Sequence, residues 1–327
     1  MKSFVEGFVQ QLREAVEIGE NSALNIPNKT IKNVLISGLG GSGIGATTVS
    51  KLVEHEAVKP IVINKEYFVP QFVDQHTLVI ISSYSGNTEE TLSALILALE
   101  NNAEVVCITS GGKILEIAKE RGLNYIQIPS GYPPRAAFAY SSTQLFYVLM
   151  RYGIISDDFK SSLNSAMTLL EEHTENIKDE AKAIAEKLVG KIPVLYCAPE
   201  FEGAAVRLRQ QINENAKMLC WHHIIPEMNH NELVGWREKN DNLAVVFLRN
   251  TCDYERVQRR MEINKSIVSQ YTSTILEVYS KGNDKIEKTY YHVHLGDWIS
   301  IFLAKNKGID AVEVNVIDYL KEELAKV

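Results

Sequence analysis

The stretch Val34-Leu35-Ile36-Ser37-Gly38-Leu39-Gly40-Gly41-Ser42-Gly43 is answered by Leu78-Val79-Ile80-Ile81-Ser82-Ser83-Tyr84-Ser85-Gly86-Asn87-Thr88-Glu89, and the pair decides the fold. Each begins as a short apolar strand and runs through a small-residue turn into a helical pattern. Such a turn leaves backbone N–H groups without intrahelical acceptors at the positive end of the helix dipole. The second turn adds the hydroxyls of Ser83, Ser85 and Thr88. Free N–H groups and hydroxyls together make a cradle for a phosphate monoester. A dinucleotide site is the first competitor, but no acidic residue ends the next strand, 61–64, where a ribose would need one. A loop that merely packs closely on a neighbouring helix is the second. The hydroxyls favour a phosphosugar over both.

Outward from these turns, the first half alternates. Strand patterns fall at 33–38, 60–64, 77–83, 104–109 and 124–128, with helical patterns at about 42–54, 87–101, 113–121 and 135–150. Continuous apolar strands separated by helices imply a parallel sheet covered on both faces. Residues 157–191 form one long amphipathic stretch with Leu163, Met167, Leu170, Ile177, Ala181, Ile184 and Leu188 on one stripe, which reads as a bridging helix. Alternation then restarts: strands at 193–197, 243–248 and 274–278, and helices at 203–217, about 253–272 and 298–306. The halves look like a distant duplication in which the second turn, Arg249-Asn250-Thr251-Cys252-Asp253, lacks the serine pattern. The expected organisation is an N-terminal unit at 1–152 with the phosphate cradle, a bridge at 153–192, and a C-terminal unit at 193–327 that supplies chemistry at the seam.

Bulk properties agree. The chain has 327 residues, 45% of them hydrophobic, enough for one large or two ordinary domains. A formal charge of −7 argues against nucleic acid as partner. No apolar run reaches membrane-spanning length and no signal-peptide core opens the chain. Cys107, Cys197, Cys220 and Cys252 form no C-x-x-C pair, so a reduced cytoplasmic setting is the simplest expectation and a structural zinc site is not expected.

Four residues stand out for chemistry. Arg135 follows the stiff turn Gly131-Tyr132-Pro133-Pro134 just before a helix, where a guanidinium can stabilise an enediolate or sit idle on the surface. Glu214 lies in Arg209-Gln210-Gln211-Ile212-Asn213-Glu214-Asn215, either a desolvated general base or part of a solvated face. His230 sits in the loop Pro226-Glu227-Met228-Asn229-His230-Asn231-Glu232, with His222 and His223 as competitors. The spacing of these histidines with Glu227 and Glu232 fits no metal-ligand set. Lys321 lies beside the stripe Val316, Ile317, Leu320, Leu324 of a C-terminal helical pattern.

In order along the chain, Gly-Leu-Gly-Gly-Ser-Gly at 38–43, Ser-Tyr-Ser-Gly-Asn-Thr at 83–88, Pro-Arg at 134–135, Asn-Glu-Asn at 213–215 and Asn-His-Asn-Glu at 229–232 resemble the bifunctional phosphoglucose/phosphomannose isomerases of the sugar isomerase (SIS) type. The resemblance covers nearly the whole chain. It implies an α/β fold of two doubly wound parallel-sheet SIS subdomains joined by a long helix, and a homodimer. It implies interconversion of fructose 6-phosphate with glucose 6-phosphate and mannose 6-phosphate, without metal or cofactor, in glycolysis and gluconeogenesis. It assigns the phosphate to Ser83, Ser85 and Thr88 with Gly41 and Ser42 nearby, and the substrate oxygens to Arg135. Glu214 becomes the base between C1 and C2, and His230 the ring-opening acid in the neighbouring subunit's site. A C-terminal lysine assists: Lys321 by its I-x-x-L-K setting, with Lys305 and Lys307 as rivals. Two turns before that lysine the family carries Thr or Gln, which falls here on Val314. The rival expectations are an isomerase half of a glucosamine 6-phosphate synthase, another phosphosugar isomerase, or a non-catalytic phosphosugar-sensing module.

Overall fold

A computed structural model describes residues 1–326 of the chain. The first half comprises α1 (Lys2–Glu6), α2 (Phe8–Asn21), β1 (Asn33–Ser37), α3 (Gly40–Leu52), β2 (Ile61–Asn64), β3 (Thr77–Ser82), α4 (Glu89–Glu100), β4 (Glu104–Thr109), α5 (Gly112–Glu120), β5 (Asn124–Gln127) and α6 (Phe138–Arg151). Helices α7 (Phe159–Glu172) and α8 (Thr174–Leu188) follow. The second half comprises β6 (Ile192–Cys197), α9 (Glu202–Ala216), β7 (Trp221–Ile224), β8 (Leu243–Arg249), α10 (Glu255–Val268), β9 (Thr274–Tyr279), α11 (Lys285–Asn306) and α12 (Asn315–Leu324).

The strands form two parallel sheets, ordered β2-β1-β3-β4-β5 and β7-β6-β8-β9. The second repeats the order of the first without its last strand. In each the strand order reverses beside the sheet's first strand, between β1 and β3 and between β6 and β8. Crevices at the carboxyl ends of such strands are where ligands bind in open α/β sheets. β3 is buried along its whole length and β8 along nearly all of it, as the continuous apolar runs predict.

Three departures from the sequence reading have physical causes. The stretch at 157–191 is two helices meeting at His173 and Thr174, not one. There the Thr174 hydroxyl donates to the carbonyls of Leu170 (2.9 Å) and Glu171 (3.0 Å), competing with the backbone ladder. Helix α11 starts far ahead of the expected 298, because it is buried on every side from Glu287 to Ser300 and so shows no amphipathic stripe. It is capped by Asp284, whose carboxylate accepts from Glu287 N at 2.9 Å. Strand β7 and helices α1 and α2 are additional; α2 packs on α6, with Gln144 Nε2 donating to Ala15 O at 2.7 Å.

The two halves meet through α3, α9, α6 and α11. Helix α3 lies against α9 so closely that a Cβ on Gly203 would stand 2.6 Å from Thr48 Cα. In the second half, the turn after β8, which corresponds to the serine-rich turn after β3, is closed by the chain's own carboxylate. Asp253 accepts from Asn250 N at 3.0 Å and from Asn250 Nδ2 at 3.2 Å. Asn250 Oδ1 in turn accepts from Ser280 Oγ at 2.6 Å and contacts His292 Nε2 at 3.0 Å.

Asp253 is 3% exposed, and burial pushes its carboxyl up to about 6. A carboxyl whose folded-state value lies above its unfolded value contributes less stability as pH rises from about 4 through 6. Asp253→Asn keeps an acceptor for Asn250 N–H and removes the buried charge. Its stability relative to the native protein is expected to rise by about 2 kcal/mol between pH 4.5 and pH 7.5. Chemical denaturation at the two pH values measures this; an equal difference at both overturns the assignment.

Candidate active site

The loop after β3 is held rigidly. Gly86 has φ +67°, and a Cβ there would stand 1.8 Å from Gly111 O, so only glycine fits. Backbone bonds from Ser83 N to Ile108 O, Ser110 N to Tyr84 O and Ile114 N to Gly86 O, each 3.0 Å, lock it to the neighbouring loop. Thr88 is the N-cap of α4, and its hydroxyl lies 2.9 Å from that of Ser83. Ser85 is exposed, and its hydroxyl accepts from Asn87 N at 3.2 Å. Ser42, on the first turn of α3, accepts from Tyr84 N at 3.0 Å. The starts of α3 and α4 therefore converge, with first-turn N–H groups lacking intrahelical acceptors.

Tyr84 continues the chain of contacts. Its hydroxyl accepts from Tyr132 N at 2.8 Å, fixing the turn that leads to Arg135. On the other side Gly41 lies against that turn: a Cβ there would be 2.4 Å from Pro134 O. Arg135 is 5% exposed. Its Nε donates to Asn215 Oδ1 at 2.8 Å, Nη1 to Glu214 Oε2 at 3.4 Å, and Nη2 to the carbonyls of Ala311 and Val312 at 2.7 and 2.9 Å. Burial lowers the Arg135 pKa from its usual value, opposed by Glu214, Asp310 and Glu313. Four of the five guanidinium hydrogens are thus engaged by protein, so Arg135 is a clamp within the fold, with one hydrogen left over for the substrate oxygens that the resemblance assigned to it.

Behind this pair stands a buried polar layer that the sequence reading missed. Asn215 Nδ2 donates to Ser300 Oγ at 2.9 Å, and Ser300 Oγ donates to Asp297 O at 2.7 Å. Arg207 pairs with Asp297 at 2.7 Å, both 3% exposed, and also donates to Arg135 O at 3.2 Å. Gln211 Nε2 donates to the other Asp297 oxygen at 2.8 Å. The available signal was the helical spacing of Arg207, Gln211 and Glu214, one polar side on a helix otherwise rich in Ala, Val and Leu.

The structure brings Gly41, Ser42, Ser83, Ser85, Thr88, Arg135 and Glu214 to one neighbourhood. It does not bring His230 or Lys321 there. His230 is exposed on a 3-10 turn of the loop after β7 and touches none of these residues through a hydrogen bond. Lys321 is exposed on α12, which buries no residue. The rival Lys307, at the end of α11, donates to Ala216 O at 2.8 Å, within a turn of Glu214, and desolvation lowers its pKa. His222 instead faces Glu202 at 3.8 Å. Among the described residues, no three His, Cys, Asp or Glu side chains converge as a metal-ligand set. The neighbourhood offers an anion grip, a partly exposed carboxylate and a cation beside it, which suits proton transfer next to a developing oxyanion.

The model of the SIS domain matches residues 30–146, and that of the bacterial phospho-glucose isomerase C-terminal SIS domain matches residues 177–324. A bifunctional phosphoglucose/phosphomannose isomerase of Caldicellulosiruptor bescii is 37% identical over 328 residues, covering 97% of each chain. One from Aquifex aeolicus is 38% identical over 298 residues, covering 90% of this chain and 91% of its own. The C-terminal domain of glucosamine-fructose-6-phosphate aminotransferase from Francisella tularensis shares the fold, with TM-score 0.76 at 14% identity over 95% of this chain and 98% of its own.

Gly41→Ala forces a backbone carbonyl aside and is expected to cost about 2–3 kcal/mol, the range for overpacking. Gly235→Ala, with open space around it and no left-handed φ, is expected to be within about 0.5 kcal/mol of native. Equilibrium unfolding of both variants checks the contrast; equal stabilities would mean that α3 does not abut the Arg135 turn.

Proposed function

The chain belongs to the family of bifunctional phosphoglucose/phosphomannose isomerases, and we propose that it interconverts fructose 6-phosphate with glucose 6-phosphate and mannose 6-phosphate through an enediol(ate). The observation that carries this reading is the Arg135–Glu214 pair packed against a hydroxyl-lined double helix start. The phosphate sits at Ser83, Ser85 and Thr88, with Gly41 and Ser42 at its edge. Hydroxyls and helix N-termini complement its charge. Anchored there, the sugar holds C1 and C2 against Glu214.

Glu214 takes the C2 proton and returns it at C1, and the same carboxylate works in both directions. The guanidinium hydrogen of Arg135 that no protein group takes is free for the enediolate oxygen. Ring opening needs an acid at the ring oxygen. His230 supplies it from a second copy of the chain, which its exposure and its separation from its own Glu214 support. The assisting lysine is Lys307 rather than Lys321, because Lys307 reaches the end of α9. Two turns before Lys307 stands Ser300, already bonded to Asn215, where counting from Lys321 gave Val314. The working assembly is a homodimer in the cytoplasm; among the described residues no helix is long and apolar enough to cross a membrane.

A coupled assay with fructose 6-phosphate, reading glucose 6-phosphate and mannose 6-phosphate separately, is the direct test; formation of neither ends the reading. Glu214→Gln is expected to lower turnover and C2 proton exchange in heavy water at least about a hundredfold. His230→Ala is expected to spare open-chain analogues. Co-expressing the two inactive variants is expected to restore about a quarter of native activity, since half the dimers then hold one intact site. No recovery would place His230 outside the neighbouring site.

A further inference from the structure

Lys217, which ends α9, occupies a left-handed backbone position with φ 52° and ψ 47°. Helices commonly close on this conformation, but with glycine, because a Cβ there is costly. A lysine at such a place is explained by its side chain. The Lys217 ammonium donates to Glu214 O at 2.6 Å, Glu313 O at 2.7 Å and Asp310 O at 3.1 Å, which uses all three of its hydrogens. The Glu313 carboxylate lies 3.5 Å away.

The partners of Lys217 form a pattern with those of Arg135. Residues 310–313 are a strap between α11 and α12. The carbonyls at its two ends, Asp310 and Glu313, go to Lys217. The two between them, Ala311 and Val312, go to Arg135. Both cations also hold Glu214, Lys217 by its backbone carbonyl and Arg135 by its carboxylate. The contacts close into a ring: Glu214, Arg135, strap, Lys217 and back to Glu214. Lys307 caps the next carbonyls, Ala216 and Lys217, and does not touch the strap through a hydrogen bond.

We propose that Lys217 is a positioning residue for the isomerisation: it pins the 310–313 strap, the strap aligns Arg135, and the ring so closed fixes the Glu214 carboxylate for proton transfer. The proposal rests on the isomerase reading above for its kinetic arm. All three Lys217 ammonium hydrogens are taken by protein carbonyls, so on this proposal its loss acts on turnover and not on capture.

The test uses Lys217→Gly and Lys217→Arg in the full chain. Glycine suits the left-handed backbone, so Lys217→Gly removes the tether without straining the helix end. The expected result is a kcat for fructose 6-phosphate about 10- to 100-fold below native, a KM within about threefold, and a melting temperature within a few degrees of native. Lys217→Arg, which keeps charge and donors, recovers part of the kcat. Hydrogen exchange of the Val312 amide, which donates to Asp310 Oδ1 at 2.8 Å within the strap, accelerates in Lys217→Gly and is restored in Lys217→Arg. Native kcat in Lys217→Gly, a loss confined to KM, or unchanged strap exchange each overturns the proposal. If the native chain shows no isomerase activity, the isomerase reading fails, and the exchange experiment alone decides whether Lys217 pins the strap.

Discussion

The buried ion pair of Arg207 and Asp297 is the interaction on which the rest of the site depends. It joins α9 to α11 at 2.7 Å with both partners almost fully excluded from water. An ion pair so placed is worth little as net stability against an apolar isostere, yet losing one partner typically costs about 3–5 kcal/mol. Here the Asp297 carboxylate is satisfied on both oxygens, since Gln211 takes the second, and the Arg207 guanidinium stacks 4.5 Å from the Phe138 ring centroid, while its buried Nε has no partner among the described residues. The same guanidinium reaches the Arg135 carbonyl. One pair therefore registers the second half of the chain against the turn of the first half that carries Arg135.

From that register follows a division of labour between two similar halves. Both sheets have the same strand order and both end a central strand in a polar turn before a helix. In the first half the turn carries Ser83, Ser85 and Thr88, with Ser85 exposed and the Ser83 and Thr88 hydroxyls bonded to each other. In the second, Asp253 fills the corresponding place with an internal carboxylate hydrogen-bonded to Asn250. The second half thus closes that turn on itself, and contributes Glu214 and the 310–313 strap to the neighbourhood of Arg135.

Much of this was legible in the sequence because the signals were local. The apolar strands and small-residue turns placed eight of the nine strands of the described residues, and the Ser-Tyr-Ser-Gly-Asn-Thr run falls on the rigid loop between β3 and α4. What was missed depended on tertiary environment. Strand β7, Trp221-His222-His223-Ile224, is only partly buried and carries no apolar alternation. Helix α11, buried on all sides and carrying Tyr290, His292, His294 and Asp297, has no polar face to betray its period. Nothing local says that Asn215 will meet Arg135, or that Lys217 will reach carbonyls almost a hundred residues away. Lys321 was favoured over Lys307 for its I-x-x-L-K setting, and the apolar stripe beside it is exposed on α12.

The bare contact made by Gly41 against the backbone of Pro134 and Arg135 carries a last consequence. Where backbone meets backbone, there are no side chains to repack and little freedom to slide. On the proposed reading, grip and base therefore belong to one stiff block. Accommodating sugars of opposite handedness at C2 would then fall to the substrate: with its phosphate fixed, the open chain would swivel about its own carbon–carbon bonds, and the protein's geometry would serve as a stationary anvil for whichever face is turned toward it.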